Sequence, residues 1–255
     1  MIESSRGPAA ARVLVITPTY NEKDNLAPVL ERLFTAQPTV DVLVVDDNSP
    51  DGTGRVADGM AASDPRIQVL HRGGKQGLGA AYLAGFRWGL EHGYDVIVEM
   101  DADGSHPPSA LAAMLTAVDE GAGLAIGSRW VPGGRVVNWA WPRRWLSRAG
   151  NAYTRIALRI PVRDATAGFR AYRADVLRQL PLEDVHSRGY CFQVDMALRV
   201  LDAGHRVAET PIIFREREHG ESKMSGAIVF EAMARVTWWG LRRRFGRVRR
   251  GLAPR

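Results

Sequence analysis

The sequence predicts an α/β protein built on a mostly parallel central sheet with helices on both faces. Two observations carry that expectation. Five short apolar, β-branched runs alternate with stretches of helical periodicity through the first half of the chain. The runs are apolar almost continuously rather than at alternate positions, as in strands covered on both faces. Strand, helix, strand alternation then joins parallel neighbours.

The runs are "RVLVITPTY" from Arg12, "VDVLVVDD" from Val40, "RIQVLHR" from Arg66, "DVIVEMD" from Asp95 and "LAIGSR" from Leu124. Between them, "DNLAPVLERLFTAQ", "DGTGRVADGMAAS", "GLGAAYLAGFRWGLEHG" and "PPSALAAMLTAVDEG" read as helices. In the third, Leu78, Tyr82, Phe86 and Leu90 recur every fourth residue and form one stripe. Asp24 and Ser109 suit helix starts, and Pro107 and Pro108 suit a first turn better than an interior. After Arg129, "WVPGGRVVNWAWPRR" reads as a loop, followed by helical pieces at about 145 to 159 and 190 to 203. A strand, "RVAETPIIF", a polar loop, "REREHGESKMSG", and a last helix from near Gly226 complete the pattern. The expected organisation is a flexible leader over 1–11, one main folded body over 12–225, and an amphipathic helix with an Arg-rich tail over 226–255.

Composition narrows the classes. A hydrophobic share of 45% with 24% charged residues is that of a globular chain, not a disordered one. Cys191 is the single cysteine, which excludes an internal disulfide and a cysteine-rich zinc site. The first residues lack the apolar core of a signal peptide, and Glu231 and Arg235 interrupt the most apolar late segment. A soluble or peripheral protein is expected. The net charge is +6, but seven arginines from Arg242 to Arg255 supply all of it and leave the remainder one unit negative. That argues against a basic nucleic-acid-binding domain, whose positive charge would spread over its folded face, and a tail-only excess points as readily to anionic lipid headgroups.

In an open parallel sheet, ligands bind beyond the carboxyl ends of the strands. Three such ends carry "PTYNE", "DDNSPDGT" and "DADGSH". Convergence of Glu22, Asp46, Asp47, Asp101 and Asp103 would require a compensating cation. Carboxylates without Cys and with little His suit Mg²⁺ or Mn²⁺, which complete their shells with phosphates and water, so the substrate class is a diphosphate. For Asp46 and Asp47, capping and loop bonding is an equal alternative. In "DVIVEMDADGSHPP", strand alternation would turn Glu99, Asp101 and Asp103 the same way. "GTGRVA", from Gly52, fits a dinucleotide fingerprint, but the acids before it would repel a pyrophosphate; it reads as a helix start. Gly74-Lys75 is followed by Gln76, which excludes a P-loop.

"TPTYNEKDNL", "VDVLVVDDNSPDGT", "GLGAAYLAGF", "VEMDADGSHPP", "GSRWVPGG", "TAGFRAYR", "GYCFQVDM" and "HGESKM" form an ordered set. From about residue 12 to 225 the chain resembles the polyprenol-phosphate (dolichol-phosphate) mannose synthases of glycosyltransferase family 2. The resemblance implies a glycosyltransferase A fold, Rossmann-like in its sheet, and inverting transfer of mannose from GDP-mannose to a polyprenyl phosphate. It implies that Pro18, Tyr20, Glu22, Val45 and Asp47 hold the nucleotide, with Asp101, Ala102 and Asp103 against the diphosphate. Asp103 and Asp101 would take the metal, with Ser105 as an additional candidate ligand. Arg129, Arg143 and Ser147 match positions that hold the acceptor phosphate, and Arg217 and Lys223 match positions that close over the donor.

Physical chemistry agrees with that division. The second pKa of a phosphate monoester is about 6, so the acceptor is its own nucleophile and no general base is needed. The departing diphosphate needs neutralisation, by a metal and by Arg217 and Lys223, and Arg suits bidentate phosphate capture. Asn48 stands where the family has Gly, Ala167 where Ser is usual, and Asp195 where Glu is usual; no role is carried onto the last two side chains. His71 reads as a packing or hydrogen-bonding residue, and His106 as a candidate to touch the metal or its water. Gly168, Phe169 and Arg170 read equally as a tight turn with a core aromatic and a solvated charge.

A lipid acceptor places the enzyme at a membrane, expected to be the cytoplasmic face, by peripheral attachment or a separate anchoring protein. Ile228, Phe230, Met233, Val236, Trp238, Trp239, Leu241 and Phe245 before the Arg cluster suit an interface plane, with packing on the core as an equal alternative. Trp139, Trp141 and Trp145 flank Arg143 as a second lipid contact. The rival readings are the same fold with another donor, such as UDP-glucose, and a non-catalytic membrane-surface binding protein.

Overall fold

The computed structural model describes residues 11–187, 189–216 and 226–251. The chain begins with β1 (Val13–Thr19), α1 (Lys23–Ala36), β2 (Asp41–Asp46), α2 (Thr53–Ser63), β3 (Ile67–His71), α3 (Leu78–Glu91) and β4 (Val96–Glu99). It continues with α4 (Leu111–Asp119), β5 (Leu124–Ser128), β6 (Arg135–Val137), α5 (Trp141–Leu158), β7 (Arg170–Arg173) and α6 (Ala174–Gln179). Last come α7 (Tyr190–Asp202), β8 (Val207–Pro211), β9 (Ile213–Arg215) and α8 (Gly226–Gly251).

Seven strands form one sheet in the order β3-β2-β1-β4-β7-β5-β8, parallel throughout except for β7. Successive residues of β1 supply both faces: Leu14 and Ile16 join the core under α3 and α7, and Val13 and Val15 the core under α1, α2 and α4. The α3 stripe is buried at Tyr82 and Phe86, although Leu78 is exposed. On its sheet side, a Cβ at Gly85 would lie 2.7 Å from Ile16 and one at Gly89 2.8 Å from Leu14, so glycine lets this helix settle on the strands.

The sequence expectations fail where pairing is long-range. β7 and α6 are absent from them, because "RAYR" is a four-residue strand without an apolar run; it is held by antiparallel partners on both sides. Arg170, read equally as a solvated charge, is fully buried, in register with Glu99 on one side and Ile126 on the other. Its guanidinium donates to the carbonyls of Ala165, Ala167 and Gln193, each at 2.7 Å, which is how a charge survives in the core. The segment "WVPGGRVVNWAWPRR" is a loop only in part, since it contains β6 and the start of α5. The strand "RVAETPIIF" is two strands, broken at Ile212 where β9 leaves β8's sheet to pair with β6.

Candidate active site

The sheet order reverses between β1 and β4, so the carboxyl ends of β1, β2 and β4 open on one crevice. Pro18 sits beside Val45 in the β1–β2 register, and both carry their strands to this edge. Tyr20 follows, with the Lys75 ammonium 3.9 Å from its ring centroid. Glu22 precedes α1 and accepts from Asn25 Nδ2 at 2.8 Å. Asn48 adopts φ 57°, the left-handed turn that Asn tolerates in place of Gly. "GTGRVA" starts α2, with Asp51 Oδ1 accepting from the Thr53 backbone N–H at 2.9 Å.

The adjacent acids at the end of β2, Asp46 and Asp47, have different partners. Asp46 accepts from Thr19 Oγ1 at 2.9 Å and from the Ser49 hydroxyl at 2.6 Å, so it shapes its own loop. Asp47 meets Arg72 Nη1 at 2.5 Å. Burial raises the Asp47 carboxyl above the usual range, and Arg72 opposes that shift. Arg72 is a compensating cation that sequence reasoning missed.

β4 ends at Glu99, so strand alternation cannot be carried through to Asp103; the next carboxylates lie in the turn that follows. Glu99 is fully buried and accepts from Gln193 Nε2 at 2.7 Å. Burial, opposed by Arg170, pushes its carboxyl up to about 7. Asp101 Oδ1 accepts from the Tyr82 hydroxyl at 2.7 Å, and Asp103 Oδ1 from the Ser105 N–H at 3.0 Å. Ala102 between them is buried, as is Ser105. Burial, with Asp101 as the next influence, lifts the Tyr82 hydroxyl well above the usual tyrosine range, so it stays a donor.

His106 braces this turn. Its Nδ1 accepts the Asp101 backbone N–H at 3.1 Å, and its ring stacks on Phe169 at 5.2 Å. A Cβ on Gly168 would lie 3.6 Å from Asp101 Oδ2, so the "TAGF" segment passes directly over the acidic turn. His71 bonds Asp58 at 2.8 Å, as a hydrogen-bonding residue should.

Among the described residues, no group of three or more His, Cys, Asp or Glu side chains forms a metal-binding cluster. The carboxylates of Asp101 and Asp103 nevertheless fit Mg²⁺ or Mn²⁺, hard ions that take few protein ligands and complete the shell with diphosphate and water.

Beside the crevice lies a cationic, Trp-lined seat. Arg129 donates from Nε to Asp164 Oδ2 at 2.8 Å and from Nη2 to Asp164 Oδ1 at 2.7 Å, with Thr166 Oγ1 at 3.0 Å. Asp164 is fully buried. Asn151 donates to Thr166 Oγ1 at 3.0 Å and to the Ser147 carbonyl, also at 3.0 Å. Arg143, Ser147 and Asn151 are spaced by four on α5 and share its inner face. The guanidinium carbons of Arg143 and Arg129 lie 4.2 and 5.5 Å from the centroid of the Trp139 ring, so one indole links both cations. The structure thus brings Arg129, Arg143 and Ser147 together. Arg217 and Lys223 lie outside the described residues.

Tyr82, Arg72, Asp164 and Asn151 escaped the sequence reading. The signal for Tyr82 was present: a tyrosine in a buried stripe needs a partner for its hydroxyl.

A parallel α/β sheet with an acidic turn at its switch point and a cationic seat alongside defines a glycosyltransferase of the A fold. The chain belongs to glycosyl transferase family 2, whose profile matches residues 14–180. It is 56% identical to the polyprenol monophosphomannose synthase of Mycolicibacterium smegmatis, over 93% of this chain and 90% of that one. It is 59% identical to the undecaprenyl-phosphate mannosyltransferase of Micrococcus luteus, over 92% and 96%. Among solved structures it resembles glucosyl-3-phosphoglycerate synthase of Mycobacterium tuberculosis with Mn²⁺, UDP-glucose and phosphoglyceric acid. That likeness has TM-score 0.65 and 19% identity, over 91% of this chain and 80% of that one. A mannosyltransferase from Pyrobaculum calidifontis in complex with GDP-Man and Mn²⁺ matches with TM-score 0.55 and 21% identity, over 83% and 58%. These structural likenesses establish the fold.

Proposed function

We propose that this chain transfers mannose from GDP-mannose to a polyprenyl phosphate, with inversion, giving polyprenyl-phosphate mannose. The observation that carries the reading is 59% identity across nearly the whole of an undecaprenyl-phosphate mannosyltransferase. The geometry supports it, because a diphosphate seat at Asp101 and Asp103 adjoins a phosphate seat at Arg129, Arg143 and Ser147.

Pro18, Tyr20, Glu22, Val45 and Asp47 line the nucleotide side, and Ala102 lets the diphosphate approach the turn. Asp101 and Asp103, with Ser105 as a further ligand, hold Mg²⁺ or Mn²⁺, which when bound neutralises charge on the departing diphosphate. Tyr82 and His106 keep that turn in one shape. Asp164 fixes the Arg129 fork, Arg143 and Ser147 receive the acceptor phosphate, and Arg217 and Lys223 add positive charge at the donor. Placing an ionised phosphate behind the sugar carbon replaces base catalysis by positioning.

A lipid acceptor calls for a membrane-facing surface. No described helix is long and apolar enough to cross a membrane. Trp141 is 78% exposed and Trp145 66% on α5, and Trp238 and Leu241 are exposed on α8. α8 is also docked: Val236 is buried, Thr237 Oγ1 bonds the Tyr153 hydroxyl at 2.5 Å, and Arg243 donates to the Leu158 carbonyl at 3.2 Å. Packing holds the helix to α5 while exposed aromatics on both helices, with arginines beside them, suit peripheral attachment at the cytoplasmic face.

The test offers GDP-mannose, UDP-glucose and UDP-N-acetylglucosamine with a polyprenyl phosphate, with and without Mg²⁺ or Mn²⁺. Mannosyl lipid from GDP-mannose alone, lost with EDTA, is expected. Turnover of UDP-glucose in preference would overturn the donor, and metal-independent turnover the role of the acidic turn.

A further inference from the structure

The cationic seat already holds an anion of the chain's own. Arg143 Nη1 donates to Glu216 Oε1, in an ion pair that is partly open to solvent. Around it, three buried N–H groups have no acceptor among the described residues: Arg143 Nε, Trp139 Nε1 and Trp130 Nε1. The guanidinium carbon of Arg148 lies 5.0 Å from the centroid of the Trp130 ring, and that of Arg129 5.8 Å from the same centroid. Buried donors are nearly always satisfied, and each unmade bond is unfavourable. A carboxylate that meets one Arg143 nitrogen and leaves its Nε–H empty fits the seat poorly. A phosphate, with three terminal oxygens, fits it better.

Charge separates the two arginines. Arg129 is matched on both prongs by buried Asp164, a fixed arrangement. Arg143 has one ion-pair partner among the described residues, a side chain just past the end of β9, besides its stack on Trp139. The Glu216 backbone N–H donates to the Val137 carbonyl at 3.3 Å, which tethers the carboxylate beside the seat at high effective concentration.

We infer that Glu216 is a displaceable stand-in for the acceptor phosphate and so determines acceptor specificity. The inference rests on the reading of Arg143 as the acceptor seat. A phosphate must replace a resident carboxylate on Arg143 to bind. A monoester, with its second pKa of about 6, brings two negative charges near neutral pH, and a phosphodiester headgroup brings one. At a membrane surface the seat is surrounded by diesters, so discrimination requires an element that disfavours the wrong partner. The tethered carboxylate supplies it.

Glu216→Gln keeps the shape and removes the charge. Kinetics are measured with a polyprenyl phosphate in mixed micelles, with and without phosphatidylglycerol. The acceptor KM of the variant should fall about three- to five-fold, the scale of a partly exposed ion pair, while the donor KM stays. Phosphatidylglycerol should become a competitive inhibitor of the variant at levels the wild type tolerates. In an Arg143→Ala background, the acceptor KM should rise and the effect of Glu216→Gln should vanish. If Arg143→Ala raises the acceptor KM but Glu216→Gln matches wild type in KM and phosphatidylglycerol tolerance, the inference is overturned and the seat stands. If Arg143→Ala leaves the acceptor KM unchanged, the seat itself is wrong and the inference falls with it. Melting temperatures and donor KM values establish that each variant is folded.

Discussion

Tyr82→Phe removes one oxygen atom from the core and tests how the acidic turn is held. The Tyr82 ring packs against Phe86 at 6.4 Å and Phe192 at 6.3 Å, contacts that phenylalanine retains. Its hydroxyl donates to Asp101 Oδ1 at 2.7 Å, from a fully buried position that water does not readily replace. Hydrogen bonds to charged groups contribute about 1.5–3 kcal/mol, and partners that orient metal ligands typically change metal affinity about 10- to 100-fold. The variant should therefore bind Mn²⁺ at least about tenfold more weakly in the presence of GDP. Titration of free Mn²⁺ by electron paramagnetic resonance reads this without turnover, and a melting curve reads the fold. A variant that melts like wild type and binds Mn²⁺ with unchanged affinity would show that the Tyr82 hydroxyl does not orient a metal ligand.

Asp164→Asn removes the buried carboxylate that both prongs of Arg129 meet; unfolding in urea should show a loss of about 3–5 kcal/mol, and a loss under about 1 kcal/mol would mean that other groups or solvent stabilise the Arg129 charge. Glu99 titrates from its ordinary 4.5 up to about 7 on folding. Between those values the folded chain keeps a proton that the unfolded chain releases, so stability from this group is present below about 4.5 and lost as pH rises through about 7. Glu99→Gln should accordingly gain in melting temperature over wild type at pH ~8 more than at pH ~5; equal differences at both would refute the shift. Trp145→Ala combined with Trp238→Ala should reduce sedimentation with anionic liposomes while the melting temperature holds, and undiminished sedimentation would remove these exposed faces from membrane contact.

The parallel half of the fold was legible because each strand and helix from Val13 to Asp119 carries its own local periodicity. β7 was not, because nothing in "RAYR" announces that Glu99 and Ile126 will flank Arg170. The site divides along the same line. Asp101, Asp103, Arg129 and Arg143 stand in short motifs and could be named from sequence. Their partners, Tyr82, His106, Asp164 and Glu216, become partners only through tertiary contact, and of these only His106 stands close by in sequence. The difference changes the electrostatic argument itself. Five acids at one edge of a sheet seemed to demand a cation, but Asp46 is satisfied by Thr19 and Ser49. Asp47 is matched by Arg72, and Glu22 is bonded to Asn25 at the start of α1. The candidates for holding a divalent cation therefore narrow to Asp101 and Asp103, whose carboxylates accept from a tyrosine hydroxyl and a backbone N–H. Donors of this kind fix the orientation of a carboxylate, as the hydrogen-bond partners of metal ligands do.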